Sequence, residues 1–299
     1  ALFQPEADKP YSALKVEDVK AAIEQNEDVR NFKMQFAQAF GGFADRLHQQ
    51  LIDHVMEVRE LQAQDEISTD IFRRLNPVPL IDRYAVYQAL ADHWQSIIID
   101  IETIQEEGIR AVREVETVYK LVKKKNDEEV EVPDGLKGRI IPFSMVQQMK
   151  FQAELQAIAN LQSRVEAING ELDELRDSFT EEEMEAYCDS EKDNALDKKI
   201  TADAKPKADV EPETKDKLKQ MVALWNEQSN AEKQSKADKL ALEEKTIEAI
   251  RNLTDEEVAQ LLHMKWIDPI CEGIDSTLRS VLADLESAAL ALSEKYAVS

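Results

Sequence analysis

Only seven glycines and two cysteines occur in the 299 residues. So few glycines argue against a fold built on tight β-turns and against a glycine-rich loop that cradles a nucleotide phosphate. Cys188 and Cys271 make no disulfide framework and lack metal-ligand spacing, which suits a reducing compartment. No apolar run reaches the roughly 18–20 residues of a membrane span, and the first residues have no signal-peptide pattern. The chain starts at Ala1 rather than Met, as expected of a piece of something longer. Basic charge is scarce too: 37 Lys and Arg against 61 Asp and Glu leave a net charge of −24. The one basic run, residues 123–125, is followed at once by Asp127, Glu128 and Glu129. Such a chain repels phosphate and is not expected to hold DNA by itself, since a nucleic-acid footprint is a basic stripe.

What is abundant is the helix-forming set of Ala, Leu, Glu, Lys and Gln, with 43% hydrophobic residues to supply a core. The expected class is mainly α: a helical domain followed by long coiled-coil-like helices, with at most a small β-hairpin near 130–141. The expected segments are a helical domain over 1–143, a long helix with a heptad seam over 144–187, a charged linker over 188–213 and C-terminal helices over 214–299.

Residues 76–100, NPVPLIDRYAVYQALADHWQSIIID, organise the rest. Two prolines hold the start extended, and from Leu80 the pattern turns helical. Tyr84, Tyr87, Ala91, Trp94 and Ile98 recur at three and four residues, so the tyrosines and Trp94 read as structural residues of a buried face. Upstream, Phe32, Phe36, Phe40, Phe43, Leu47, Leu51 and Val55 form one helical face, interrupted by Gly41-Gly42. Ser68, Thr69 and Asp70 offer N-caps for a short turn through Leu75. A further helix is expected over about 104–124, and the turn signal Pro133-Asp134-Gly135 supports the small hairpin.

Ser144-x-x-Gln147 fits a capping box that starts a helix at Met145. Along it Phe151, Ile158, Leu161, Val165, Ile168, Leu172 and Leu175 take heptad positions. Thr180-x-x-Glu183 marks a break and a new turn. No aromatic residue lies between Tyr187 and Trp225, and the first two-thirds of that stretch has too little apolar content to order itself. A helix resumes near Thr214, turns polar over 226–239 where it is expected to cross solvent, and returns to a core at Leu240, Leu242, Ile247 and Ile250. Leu253-Thr254-x-x-Glu257-Val258 is a complete capping box with its staple, and Pro269 suits the first turn of a last helix.

No constellation of catalytic or metal-binding residues emerges. Asn76-Pro77-Val78-Pro79 lacks the adjacent prolines and aromatic ring of a base-holding methyltransferase turn, and precedes a helix. His48 and His54 are off the i, i+4 spacing of a helical metal pair, while His93 and His263 read as structural or surface residues. The run Asp255-Glu256-Glu257 is explained by a helix N-terminus, which favours negative charge.

Four stretches carry a family resemblance. LIDRYAVYQALADHWQ at 80–95 resembles the "PLLDKYDVYQ-LMDYW" signature of the C-terminal helical part of the modification (M) subunit of type I restriction-modification systems. RIIPFSMVQQMKFQAELQAIANLQSRVEAINGELDEL at 139–175 is similar to the family's lead into a long helix. NLTDEEVAQLLHMKWI at 252–267 is similar to its "LT-DE-E--LL--KW" motif, and the ending LALSEKYAVS resembles "LAERY". The chain departs at Ile99-Asp100-Ile101, where the family commonly reads Gln-Asp-Asp, so a polar role for the second acid is in question.

The resemblance implies a cytoplasmic, bacterial assembly region that docks on the specificity (S) subunit, in a complex of two M and one S joined by a restriction (R) subunit. It implies that S-adenosylmethionine and the adenine-N6 methylation chemistry belong to the parent protein, that this region holds no cofactor or metal, and that DNA is met only through the complex. The alternative is an independent coiled-coil adaptor or scaffold. For the first reading the last helix supplies a stripe, Ile267, Ile270, Ile274, Leu278, Val281, Leu285, Ala288 and Leu292, widened by Leu282, Ala289 and Tyr296. The 151–175 seam is expected to pack on it. The partner-binding residues expected are Ile274, Leu278, Val281, Leu285 and Leu292, with Ile158, Val165 and Leu172 from the seam; Trp266 is expected to be structural.

Overall fold

The structure, a computed structural model, describes residues 3–5, 12–14, 18–123, 129–189, 195–196, 201 and 211–297. It is mainly α with a small antiparallel hairpin, and divides into two units: Ala1–Ile141 with Asn252–Ser299, and Pro142–Arg251. The chain thus leaves the first unit and returns to it. The segments read as 144–187 and 214–299 are shared out accordingly, with 252–299 completing the first unit.

In the first unit, α1 (Val19–Gln25) starts at Asp18 and α2 (Glu27–Phe40) at Asn26, each side chain accepting from backbone N–H groups of the first turn. Gly42 takes φ 69°, a left-handed value that favours glycine, and turns the chain into α3 (Phe43–His48). A π-turn at Gln49–Asp53 and a 3-10 turn at Val55–Glu57 follow. Phe36, Phe40 and Phe43 stack across the break with ring centroids 5.1 and 5.6 Å apart. The next helix, α4 (Glu60–Leu75), runs straight through the caps expected at 68–70. Ser68 turns its hydroxyl back to the Gln64 carbonyl at 2.6 Å and Asp70 points inward, so neither starts a helix.

The organising helix α5 (Arg83–Glu107) starts at Asp82 and buries Val86, Leu90, Trp94, Ile97, Ile101 and Ile104, three or four residues apart. That face is rotated from the expected one. Tyr84 is 78% exposed, a correction to its structural role, and edges against Phe72, on which Tyr87 stacks at 6.1 Å. The helix expected over 104–124 is replaced after Gly108, which takes φ 84°. A 3-10 turn at Ile109–Arg113 leads into β3 (Val115–Lys123), antiparallel to β4 (Glu129–Gly138). Val115, Thr117, Val118, Tyr119 and Val122 are β-branched or aromatic and favour a pleated strand over a helix. Arg139 closes the hairpin base through the Glu114 carboxylate at 2.7 Å and that of Glu107. Shorter pairs join β1 (Phe3–Pro5) to β2 (Ser12–Leu14) and β5 (Cys188–Asp189) to β6 (Ala195–Leu196).

Two helices complete this unit. The first, α10 (Asp255–Trp266), opens on the expected capping box, in which the Thr254 and Glu257 side chains and backbones bond reciprocally over buried Leu253 and Val258. The second, α11 (Asp268–Ala297), has Pro269 in its first turn and packs antiparallel on α5 and against α1.

The second unit is a helical hairpin. Its elements are α6 (Phe143–Lys150), α7 (Gln152–Asp177), α8 (Glu181–Tyr187) and α9 (Pro212–Arg251). The capping box expected at Ser144 is absent: α6 already begins at Phe143, and Phe151 leaves helical geometry at φ −129°, ψ 39° before α7. Gln147 instead donates to the Thr246 hydroxyl at 3.2 Å. The box at Thr180 and Glu183 forms as expected. Most of the linker read at 188–213 lies outside the described residues, and α9 is already under way at Pro212.

Candidate assembly surface

The helix that pairs with α7 is α9, which corrects the expectation that the seam packs on the last helix. Ile158 and Ile168 are buried on this seam, with Val165 half-buried between them. Leu172 packs with Leu175 on Phe179, Leu218 and Met221. The stretch of α9 expected to cross solvent is covered, because Ala231 and Ser235 are buried; their small side chains let the helices approach. Leu240, expected in the core, is 56% exposed. Ion pairs fix the register. Arg164 reaches Glu227 at 2.6 Å and Glu171 at 2.5 Å, and Lys245 reaches Glu154 at 2.9 Å. Hydrogen bonding to Glu227, then to Glu171, pushes the Arg164 pKa up, and the bond from Lys245 pulls that of Glu154 down.

On α11, Ile270 and Ile274 are buried against the body, so Ile274 is core before it is surface. Leu278, Val281 and Leu282 are half-buried, and Ala289 closes on Val19 and Ile23 of α1. Of the partner-binding residues expected here, Leu285 and Leu292 remain open to solvent, at 39% and 45%. Leu290 joins them at 43%. The Tyr296 side chain lies outside the described residues. The crossing of α11 on α5 is at Gly273, where an added Cβ would stand 2.7 Å from the Ala89 Cβ.

A buried polar knot links α5 to α10. The Trp266 indole N–H donates to Asp100 Oδ2 at 2.8 Å, and Lys265 donates to the same oxygen at 2.5 Å and to the Ile140 carbonyl at 2.6 Å. Trp266 is buried in this knot, and Asp100 is the acid that the chain keeps at 99–101; Ile101, which stands in the place of the second acid, is buried and apolar. Trp94 is buried as expected, but its indole N–H has no hydrogen-bond partner among the described residues.

A second knot surrounds Asp70, whose carboxylate meets Arg74 at 2.8 Å, Arg46 at 2.7 Å and Arg73. Arg74 also donates to the Ala39 carbonyl at 2.6 Å and lies over the Phe43 ring. Burial raises the Asp70 pKa, but hydrogen bonding and charge from Arg74, with Arg46 and Arg73, outweigh it and hold the carboxyl below its ordinary value.

Sequence spacing missed one further contact. His48 and His263, 215 residues apart, share a hydrogen bond between Nδ1 atoms at 2.9 Å, so one ring donates and the other accepts. Their Nε2 atoms face Asp53 at 3.7 Å and Asp268 at 3.4 Å. Among the described residues no group of three or more His, Cys, Asp or Glu is placed to hold a metal ion, and no helix is long and apolar enough to cross a membrane. No family model, curated protein or solved structure matches the chain.

Proposed function

We propose that this chain is the C-terminal assembly region of the M subunit of a type I restriction-modification system, with α11 as the element that docks on the S subunit. The observation that supports it most is the knot at Asp100. Two of the stretches that resemble the family lie on α5 and α10, and Lys265 and Trp266 of the second each bond, in a buried site, to Asp100, five residues past the end of the first. In this reading the shared signatures build a scaffold, and the scaffold holds out α11 with Leu285 and Leu292 exposed. Adenine-N6 methylation with S-adenosylmethionine is then the work of the parent protein, in a cytoplasmic complex that includes a second M subunit and the R subunit. DNA is reached only through that complex.

The test is co-expression with the S subunit of the same system. Leu285→Asp with Leu292→Asp is expected to abolish co-purification while circular dichroism keeps its helical signal; Ile274→Asp is expected to unfold the first unit. Unimpaired assembly of the double variant, or no association of the unaltered chain, overturns the reading. The α7–α9 hairpin favours a second reading, an independent coiled-coil scaffold. It predicts an unaltered chain that ignores the S subunit.

A further inference from the structure

Past the Gly273–Ala89 crossing, α5 and α11 leave a groove of about 520 Å3 between them. Small residues, among them Ala85, Ser276 and Ser280, form its walls, and Leu80 stands at its edge. Leu80 is 69% exposed and takes φ 68°, a left-handed value unusual for a branched side chain. Three carboxylates line the groove, Asp82 and Asp92 from α5 and Asp284 from α11, and no Lys, Arg or His does. Several acids elsewhere in this unit meet cations: Asp100 with Lys265, Asp70 with three arginines, Glu107 and Glu114 with Arg139, Asp255 with Arg113. In the groove, Asp82 accepts only from the Tyr84 N–H and Asp92 only from the Gln88 amide among the bonds described. Neither donor neutralises a charge.

We infer that this groove docks a helix of a partner protein that carries lysine or arginine on the face it lays against α5 and α11. The inference deepens the reading of α11 as an assembly element and rests on it. Charge complementarity selects a basic occupant. Both walls are helices whose backbone groups are already bonded along their length, so no sheet edge is offered to an extended strand. Small wall residues let a helix approach closely, as in a bundle. Asp82 and Asp92 are ten residues apart, about 15 Å along the axis at 1.5 Å per residue, too far for one small cation and right for side chains nearly three turns apart on one helix. Val281 lines the groove, one turn before Leu285 and about three turns before Leu292 on α11, so an amphipathic helix meets acid and apolar surface along one helix.

The probe is a fluorescein-labelled designed helix with leucine and alanine on one face, flanked by lysines, read by anisotropy against the full chain at about 150 mM salt. Saturable binding is expected. Asp92→Lys with Asp284→Lys should weaken it by at least about tenfold, as for the loss and reversal of two charge pairs. The charge-matched control Glu166→Lys with Glu244→Lys, on exposed positions of α7 and α9, should leave it within about twofold. Equal weakening by both pairs, no saturable binding, or equal binding of the probe with glutamate for lysine overturns the inference. So does a dimer of the chain, seen by light scattering, that the groove variant alone dissolves, because the occupant is then a second copy. If the chain ignores the S subunit while the peptide arms hold, the functional reading falls and the groove stands. If the S subunit binds and the arms fail, the reverse holds.

Discussion

The Trp266 indole N–H donates to Asp100 Oδ2 at 2.8 Å inside the first unit, with both residues less than 9% exposed. Removing the indole donor leaves the buried carboxylate with Lys265 alone, and a lost hydrogen bond to a charged group costs about 1–3 kcal/mol. Trp94, also buried, offers an indole N–H that meets no acceptor among the described residues. The same substitution therefore separates the two. Trp266→Phe is expected to lower the unfolding free energy by about 2 kcal/mol more than Trp94→Phe, measured by urea denaturation. Equal losses would mean that ring volume, not the bond, decides both sites.

Gly273 is the only residue type that fits where α11 crosses α5, because its missing Cβ would meet Ala89 Cβ at 2.7 Å. Gly273→Ala is expected to destabilise by about 1–3 kcal/mol as the helices are forced apart, even though alanine is the better helix former. Ala89→Gly in the same chain should recover part of that loss. A simple sum of the two single-variant losses would exclude contact as the cause.

Much of this fold was legible in the sequence, where local chemistry decides the outcome. The box at Thr254 and Glu257, the break at 178–180 and the heptad seam of α7 each depend on residues within a few turns. What escaped depends on partners far away. At Asp70 the sequence shows Arg73 and Arg74 three and four residues on, but neither the distant Arg46 nor the burial, so it reads as a cap. Nothing in 226–239 announces α7, so small residues that allow close approach read as a solvated face. The His48–His263 contact spans 215 residues and has no local signature. Strand β3 was a failure of a different kind: alternation was present from Val115, but helix-forming neighbours hid it. On the candidate surface, the stripe along α11 was visible, while the division into buried Ile274 and open Leu285 required the position of α5.

The Asp70 knot gives a pH dependence of definite sign. A carboxyl held below its ordinary value stabilises the fold fully above the unfolded pKa, about 3.9 for Asp, and loses that stabilisation as pH falls through the folded value. Asp70→Asn takes the negative charge and one of the two acceptor oxygens from three guanidinium groups and is expected to cost on the order of 3 kcal/mol at neutral pH. The gap between the two proteins should stay level from pH 7 to about pH 5 and narrow below about pH 4. A gap that widens on acidification would reverse the assignment.

Cys271, half-buried in the second turn of α11, is expected to be inert. Burial, with Asp275 and Asp268 nearby, pushes its thiol up to about 11, so little thiolate exists at neutral pH. A chromogenic disulfide reagent at about pH 7.5 should label it only at the rate of unfolding, and labelling should accelerate when urea is added. Fast labelling of the folded Cys188→Ser chain, which isolates this thiol, would contradict the burial.

The last prediction concerns the α7–α9 seam, where a small residue sits at a position that heptad logic would fill with a large one. Ser235 is 7% exposed and Ala231 is 8% exposed, one turn apart on α9, between the apolar ends at Met221 and Leu242. If the seam were loose there, Ser235→Leu would gain about 2 kcal/mol or more of hydrophobic burial. If the helices already touch, the added side chain is forced into a filled space and costs about 1–3 kcal/mol. Burial of both small residues favours the second outcome. Ser235→Ala, which removes a hydroxyl and adds no volume, should change stability by less than about 1 kcal/mol. Thermal unfolding of the three proteins decides it: a higher midpoint for Ser235→Leu than for the unaltered chain would show a gap in the seam, and a lower one with Ser235→Ala near neutral would show close approach.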